Sequence, residues 1–465
     1  MLLIQALPLI ALVALLATGR VGPVWSCAVA FVLALPAAWL KLGDAAAVGG
    51  FIGQSLAEGI WLALIPVGII TGGLVFHAAV QHRAGARVAH AQGDPADEVF
   101  TAAFMLGPFT EAVTGFGVGI VFVMGALRVL GLKGAPAVAI ALLSQTIIPW
   151  GGLGPGTAIG AALAGMDPQL LATRSALLLA PSWMLLLPLF WWWAGLAGLQ
   201  ISCGARLAQA CWVLLMAALL IVAHRFLPWQ LCGMLACGLV LSVRLLMANP
   251  PRSGADVGRM LTASAPYLLL ASLLLASQAW HGAPAFRPYP GLPGLPLNHA
   301  MVALWLAALI MLAVTRRGPG FAWTALQRGK RPAVALISFV LLARVLGNAG
   351  IPVALAAALV SEFGSAAPYA SPLLAVISGF FAGTNVGANS AMMPLQAALG
   401  VSAGLGATVL PGVQNGTLAL ILSPQLTAVG GGLIGGGVTP SQIWRIMWPV
   451  ALIAWVVGTA SIAIG

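Results

Sequence analysis

The chain has 465 residues, of which 20 are Lys or Arg and 9 are Asp or Glu, a charged share of 6% where a soluble domain carries about 25%. With 61% of its residues hydrophobic, it cannot be a water-soluble globule, and at about 20 apolar residues per crossing it has room for roughly ten to fourteen transmembrane helices and little else. The net charge of +11 is carried by single basic residues between apolar runs, which fits positive-inside topology and makes the lipid bilayer, not nucleic acid, the partner.

Apolar runs at 2–19, 22–40 and 59–80 are the first predicted helices. No basic residue precedes the first and another run follows at once, so it reads as a retained helix rather than a cleaved signal. Glu58, at the start of the third run, reads as a solvated helix end, and His77 lies near that run's other end. The next run, 100–127, is interrupted by Gly107-Pro108, Gly115, Gly117 and Gly119, and the run 134–165 carries Ser144-Gln145-Thr146 and then the Gly152 to Thr157 step. Broken or re-entrant segments are expected here, because unwound backbone survives in hydrocarbon only where protein or a watery cavity satisfies it.

Runs at 175–199, 208–223, 227–247, 261–280 and 299–314 follow, with Trp191-Trp192-Trp193 placed as an aromatic belt and the Pro-rich stretch 281–298 as a loop. Arg128 and Arg174 read as interfacial anchors, and the five cysteines as small apolar fillers. Two basic loops, Arg244/Arg252/Arg259 and Arg316 to Arg331, are two helices apart and share the cytoplasmic side, with Arg206 and Arg83/Arg87. The N-terminus and 281–298 then lie outside. The runs 333–361, 369–399, 401–438 and 442–464 complete the chain, the second interrupted by Gly383, Asn385, Gly387 and Asn389. The expected organisation is N-terminal helices (1–99), a first broken-helix transport segment (100–170), connecting helices (171–332), a second transport segment (333–440) and a C-terminal helix (441–465).

The polar clusters recur. Glu111 to Gly117 is followed by Gln145-Thr146 and by Gly156-Thr157, and in the second half Thr384, Asn385, Asn389 and Ser390 are followed by Gln414-Asn415 and by Ser423 and Gln425. Thr384 comes 273 residues after Glu111, and Gln414 comes 269 after Gln145. Two such clusters in corresponding places point to a transporter's midplane site. Amides, hydroxyls, free N–H groups and half-helix N-termini suit a small anion such as a carboxylate. Glu111 is the one acid well inside an apolar run, and a carboxyl desolvated there is a natural proton carrier. Arg344, deep in the run 333–361, neutralises a substrate carboxylate, pairs with Glu111, or snorkels to an interface if Gly347 to Gly350 end that helix early.

No convergent set of acids, His or nucleophiles supports an intramembrane enzyme, and no G-x-G step is followed by a P-loop Lys, so an enzyme and ATP coupling are both disfavoured. A transporter of another organic anion, coupling to Na⁺, and a channel stay open as alternatives. No cofactor is expected, and a homodimer is compatible with the sequence.

The stretches GPFTEAVTGFG, GLKGAPAVAIALLSQTIIPWGGLGPGT and GMDP, with GFFAGTNVGANSAMMPLQ and NGTLALILSPQLTAV in the second half, resemble the lactate permease family over 100–168 and 378–430. Gly119 and Gln145 depart from its pattern. The resemblance implies an all-α polytopic protein of the inner (plasma) membrane, with about twelve transmembrane helices in two inverted-repeat halves with broken or re-entrant hairpins. It further implies uptake of a small 2-hydroxy monocarboxylate, lactate or glycolate, by proton symport. Carried over by position, its functional residues are Glu111, Thr114, Gly115, Phe116, Gly117, Gln145, Thr146, Gly156 and Thr157, and Thr384, Asn385, Asn389, Ser390, Gln414, Asn415, Ser423 and Gln425.

Overall fold

The protein is described by a computed structural model covering residues 2–42, 44–84, 94–115, 117–149 and 153–464. It is an all-α polytopic membrane protein. Among the described residues, eight helices are long and apolar enough to cross a membrane, ten if each of two bent pairs is one span, and shorter apolar helices account for the other hydrophobic runs.

The chain begins with α1 (Leu2–Ala17) packed on α2 (Pro23–Leu42), followed by α3 (Ala45–Ala84). At 40 residues and about 1.5 Å per residue, α3 is some 60 Å long and extends well beyond the run 59–80 that hydropathy marks. Asp94 then caps α4 (Pro95–Thr101), its side chain accepting from the Ala96 N–H. One π-helical turn, Ala102–Leu106, leads into α5 (Gly107–Thr114). The chain reverses at Gly115 and Gly117, whose φ values of 72° and 75° favour glycine. Then α6 (Val118–Val129) runs back beside α5, the π turn and α4, which makes a hairpin.

A broken helix follows, from α7 (Gly134–Leu142) and α8 (Ser144–Ile147) to α9 (Pro155–Ala164). Next come α10 (Pro168–Leu196), α11 (Cys203–Phe226), α12 (Trp229–Ala248) and α13 (Gly254–Ala279). Short antiparallel strands β1 (Ala285–Phe286) and β2 (Leu295–Pro296) cross the Pro-rich loop before α14 (Ala300–Val314).

The second half begins with α15 (Pro319–Asn348), packed along α3, and α16 (Ile351–Phe363). It repeats the earlier motif. The arms α17 (Ser371–Ala382) and α18 (Asn385–Ser402) form a hairpin reversing at Gly383, φ 64°. A second broken helix runs from α19 (Val409–Asn415) through a 3₁₀ turn to α20 (Pro424–Ile434), bent by 41°. Last come α21 (Pro440–Met447) and α22 (Pro449–Ile464). The two motifs are cross-packed: α9 lies on α18, and α20 lies on α6 and α7.

The main core surrounds the first hairpin, where Phe100, Phe104 and Phe190 are buried with ring centroids 5.1 to 5.8 Å apart. The tryptophan triplet does not form a belt as a unit. Trp193 is fully buried, its indole donating to the Ile446 carbonyl at 3.1 Å, Trp191 donates to Gln209, and only Trp192 is exposed.

Arg244 likewise is more than a loop marker. It is buried in the last turns of α12, paired with Asp97, donating to Thr101 Oγ1 at 2.7 Å and lying over Phe100 and Trp212. It therefore ties α12 to the base of the first hairpin. Because Asp97 is half exposed, the pair is partly screened, and Arg244→Ala is expected to cost about 2–3 kcal/mol. Thermal unfolding in detergent reads this as a lowered midpoint, with a smaller drop for Asp97→Asn.

Candidate functional site

The first half builds its part of the site around one carboxyl. Glu111 lies in the last turn of α5, only 3% exposed. Its Oε1 accepts the Gly117 N–H at 3.2 Å and its Oε2 the Gly119 N–H at 3.1 Å. The Gln145 side-chain amide also hydrogen-bonds to it. The carboxyl thus sits on the first free N–H groups of α6, where partial positive charge gathers. Gly119 is needed for this approach, since a Cβ there would stand 2.5 Å from the Gly107 carbonyl oxygen and 3.2 Å from Glu111 Cβ.

The break of the first broken helix links Glu111 to the second half. Leu153 N–H donates to the Ala112 carbonyl at 3.1 Å, next to Glu111 in the chain. Three residues on, the Gly156 carbonyl accepts from Asn389 Nδ2 at 2.9 Å. Gly156 must be glycine, because a Cβ would overlap the Asn385 carboxamide. Thr157 completes the link through Asn415, whose Nδ2 donates to Thr157 Oγ1 at 3.0 Å and to Ser175 Oγ at 2.9 Å.

Asn389 is the hub of this network. Its Nδ2 faces three carbonyl oxygens, those of Gly156, Asn385 (3.0 Å) and Asn415 (2.8 Å), while Asn385 Nδ2 donates to the Asn415 backbone carbonyl at 2.7 Å. That surrounding fixes the amide's orientation, since a flip would point oxygen at three oxygens. Asn389 Oδ1 is then left buried without a hydrogen-bond partner, as is Ser390 Oγ. An unpartnered buried acceptor is costly, so Asn389 Oδ1 is the point of this network that an added donor would stabilise.

A second amide cluster lies within the later half. Gln414 Nε2 donates to Ser378 Oγ at 3.0 Å, and Gln396 Nε2 donates to Gln414 Oε1 at 3.2 Å and to the Ser371 carbonyl at 3.2 Å. The two halves correspond here, with a difference. The reversal Gly383 follows Gly115 by 268 residues and Gln414 follows Gln145 by 269, so the residue in Glu111's place is Gly379, not Thr384. The second half therefore offers its glutamine a hydroxyl where the first offers a carboxyl.

The remaining candidates divide. Thr114 and Thr146 hydroxyls are spent on the Thr110 and Leu143 carbonyls of their own helices. Thr384 caps α18 by accepting the Gly387 N–H, Ser423 caps α20 by accepting the Leu426 N–H, and Gln425 reaches the Phe381 carbonyl, so these three hold the second reversal together. Gly115 and Gly117 form the first reversal, and Phe116 lies outside the described residues.

Arg344 joins neither cluster, nor does it pair with Glu111. Its Nε donates to Glu58 Oε2 at 2.6 Å, and Asn348 and Gln54 hydrogen-bond to the same carboxyl at 3.0 and 2.9 Å. Glu58 is not a solvated end, because α3 continues thirteen residues before it and buries it. Ser175 and Gln396 escaped the sequence reading; a polar amide mid-way along the apolar α18 was a signal for Gln396, whereas a lone serine in α10 gives none. Among the described residues no group of three or more His, Cys, Asp or Glu could hold a metal.

No family model matches the chain, and no curated protein matches it in sequence. Its likeness is to solved structures, over nearly full length. The Alcanivorax borkumensis YdaH transporter is 16% identical, with 95% of this chain and 98% of that one covered and a TM-score of 0.50. Neisseria gonorrhoeae MtrF, described with a class of antimetabolite efflux pumps, is 13% identical, with 96% and 95% covered and a TM-score of 0.49. What the first likeness shows is a fold on which a membrane transporter is built; membership of the lactate permease family is not shown.

Proposed function

We propose that the protein is a secondary active transporter of the inner (plasma) membrane, N-terminus outside, that takes up a small 2-hydroxy monocarboxylate such as lactate or glycolate by proton symport. The observation that carries this reading is Glu111: a buried carboxyl at a helix reversal, held by uncharged donors alone, two N–H groups and an amide. Such a group takes up and releases a proton with no fixed cation to hold it ionised. The unpartnered Asn389 Oδ1 favours a hydroxy acid over a simple carboxylate, because a hydroxyl supplies the donor it lacks. The shared fold with a transporter supports transport over catalysis.

Sodium coupling is the second reading. The carbonyl oxygens of Gly156, Asn385 and Asn415 converge on one point, now held by Asn389 Nδ2, and such oxygen sets suit a hard cation.

Proteoliposomes loaded at neutral pH separate the two. An inward proton gradient is expected to drive accumulation of labelled L-lactate or glycolate, with no response to a Na⁺ gradient imposed alone. Accumulation on Na⁺ alone favours the second reading, and none under either gradient, across C2 to C6 carboxylates, rejects both. Glu111→Gln is expected to lose pH-driven accumulation at least about tenfold while keeping substrate exchange, since coupling is removed and the path is not.

A further inference from the structure

The Glu111 carboxyl does what a substrate carboxylate would do. It spans the Gly117 and Gly119 N–H groups, one oxygen on each, and adds the Gln145 amide. A bidentate fit to two backbone donors at a helix start is how proteins bind small anions. The fit is built in, since Gly119 leaves no room for a Cβ. At the far end of the Leu153 to Thr157 link, Asn389 Oδ1 is buried without a partner while Asn389 Nδ2 donates to the Gly156 carbonyl. The network thus has an unpartnered acceptor at one end and the protein's own carboxylate on the N–H donors at the other.

Two ionised carboxylates cannot share such a place. Among the described residues no cation stands by to balance the second charge, and like charges in a buried site force one to take a proton. We propose that Glu111 is a stand-in for the substrate: its ionised carboxylate fills the N–H cradle of α6, and the substrate carboxylate enters that cradle only when Glu111 is protonated and gives it up. One proton from solvent adds to a Glu111 carboxylate oxygen and one substrate anion takes the vacated donors, so the cradle holds a single negative charge before and after. This rests on the carboxylate-symport reading and gives it a cause: proton and substrate bind together because either alone leaves the site wrongly charged.

Among the described residues, no ionisable side chain other than Glu111 hydrogen-bonds to the Gly117 or Gly119 N–H. Of the elements packed on α5, the π turn and α8 carry none. In α6 there is Arg128, at the far end and reaching the Leu433 carbonyl, and in α12 Arg244 is bound to Asp97, with Cys232 and Cys237 buried. In α3, Glu58 is held by Arg344 and His77 stands with its ring against Phe122 of α6, while the side chains of His82 and Arg83 lie outside the described residues; from α13, Tyr267 packs its ring against Phe109 of α5.

The test is calorimetric titration of the purified protein in nanodiscs with L-lactate from pH 5 to 8, in two buffers of different ionisation enthalpy. Wild type is expected to take up one proton per lactate above the Glu111 titration and none below it, with Kd weakening about tenfold per pH unit above that point. Glu111→Ala and Glu111→Gln are expected to bind lactate with a Kd independent of pH and no proton uptake. Methyl lactate, which has no anion to place, is expected to bind wild type equally at all pH values. Carbodiimide labelling of wild type, read by mass spectrometry, needs no variant to fold: lactate is expected to raise modification of Glu111, because the bound state holds it protonated and displaced. Proton uptake retained in both Glu111 variants, transferred to His77→Asn as the variant that loses it, or labelling lowered by lactate overturns the inference while the transport reading stands. No binding of any C2 to C6 carboxylate to wild type overturns the transport reading and the inference with it.

Discussion

A Gly156→Ala protein is expected to fold and reach the membrane yet lose saturable uptake by roughly ten- to a hundredfold. The added methyl would overlap the Asn385 carboxamide, and nothing nearby yields cheaply. Asn385 is held by the Asn415 backbone carbonyl and by Asn389, and Asn389 in turn by Gly156 itself. Displacing Asn385 therefore moves the hub that joins the two halves. Overpacking of this kind costs about 1–3 kcal/mol, enough to disturb a network whose members share their donors, and too little to unfold a chain with so large a core. Gly125→Ala is the matched control: a Cβ there meets nothing within 4 Å, and an uncrowded helical glycine gains about 1 kcal/mol on becoming alanine. Uptake by the two proteins in parallel proteoliposomes checks the pair, and equal uptake would remove Gly156 from the site. Asn385→Ser in the Gly156→Ala background makes room for the methyl and is expected to recover part of the loss.

Much of this arrangement was legible because glycine, amides and one acid stand out against an apolar background. Gly115, Gly117 and Gly383 announced the reversals, since positive φ in a membrane segment is a place only glycine takes readily. Asn385, Asn389 and Asn415 announced a polar site because hydrocarbon tolerates no unpaired amide. What stayed hidden depends on contacts made far along the chain. Hydropathy reports how apolar a window is, not which window it faces, so Thr157 meeting Asn415 across 258 residues could be anticipated only as two clusters. The extension of α3 to Ala45 was missed because Gly49, Gly50, Gly53 and Gln54 depress both hydropathy and helix propensity locally, while packing against α15 and α2 sustains the helix. The burial of Glu58 follows from that extension, and with it the partner of Arg344.

That partner decides what Arg344 does. Its side chain is 22% exposed and that of Glu58 is 8% exposed, and the pair ties α15 to α3, the two long helices that precede the hairpins. Removing one partner leaves a largely buried charge without its counter-ion, a loss of about 3–5 kcal/mol, whereas replacing both by neutral groups of similar shape is often close to neutral. Arg344→Gln and Glu58→Gln are each expected to lower the melting temperature and the yield of monodisperse protein. The double variant Glu58→Gln/Arg344→Gln is expected to recover both, with uptake within about twofold of wild type, because amides at both positions still hydrogen-bond to one another and to Asn348 and Gln54. A guanidinium that held the substrate carboxylate would behave differently. Its loss would raise the apparent KM in the single Arg344 variant, and neutralising Glu58 could not bring it back. A double variant that is as stable as wild type yet inactive would return Arg344 to the substrate site; a stable and active one leaves Glu111 and its N–H cradle to handle the substrate's charge without a fixed cation.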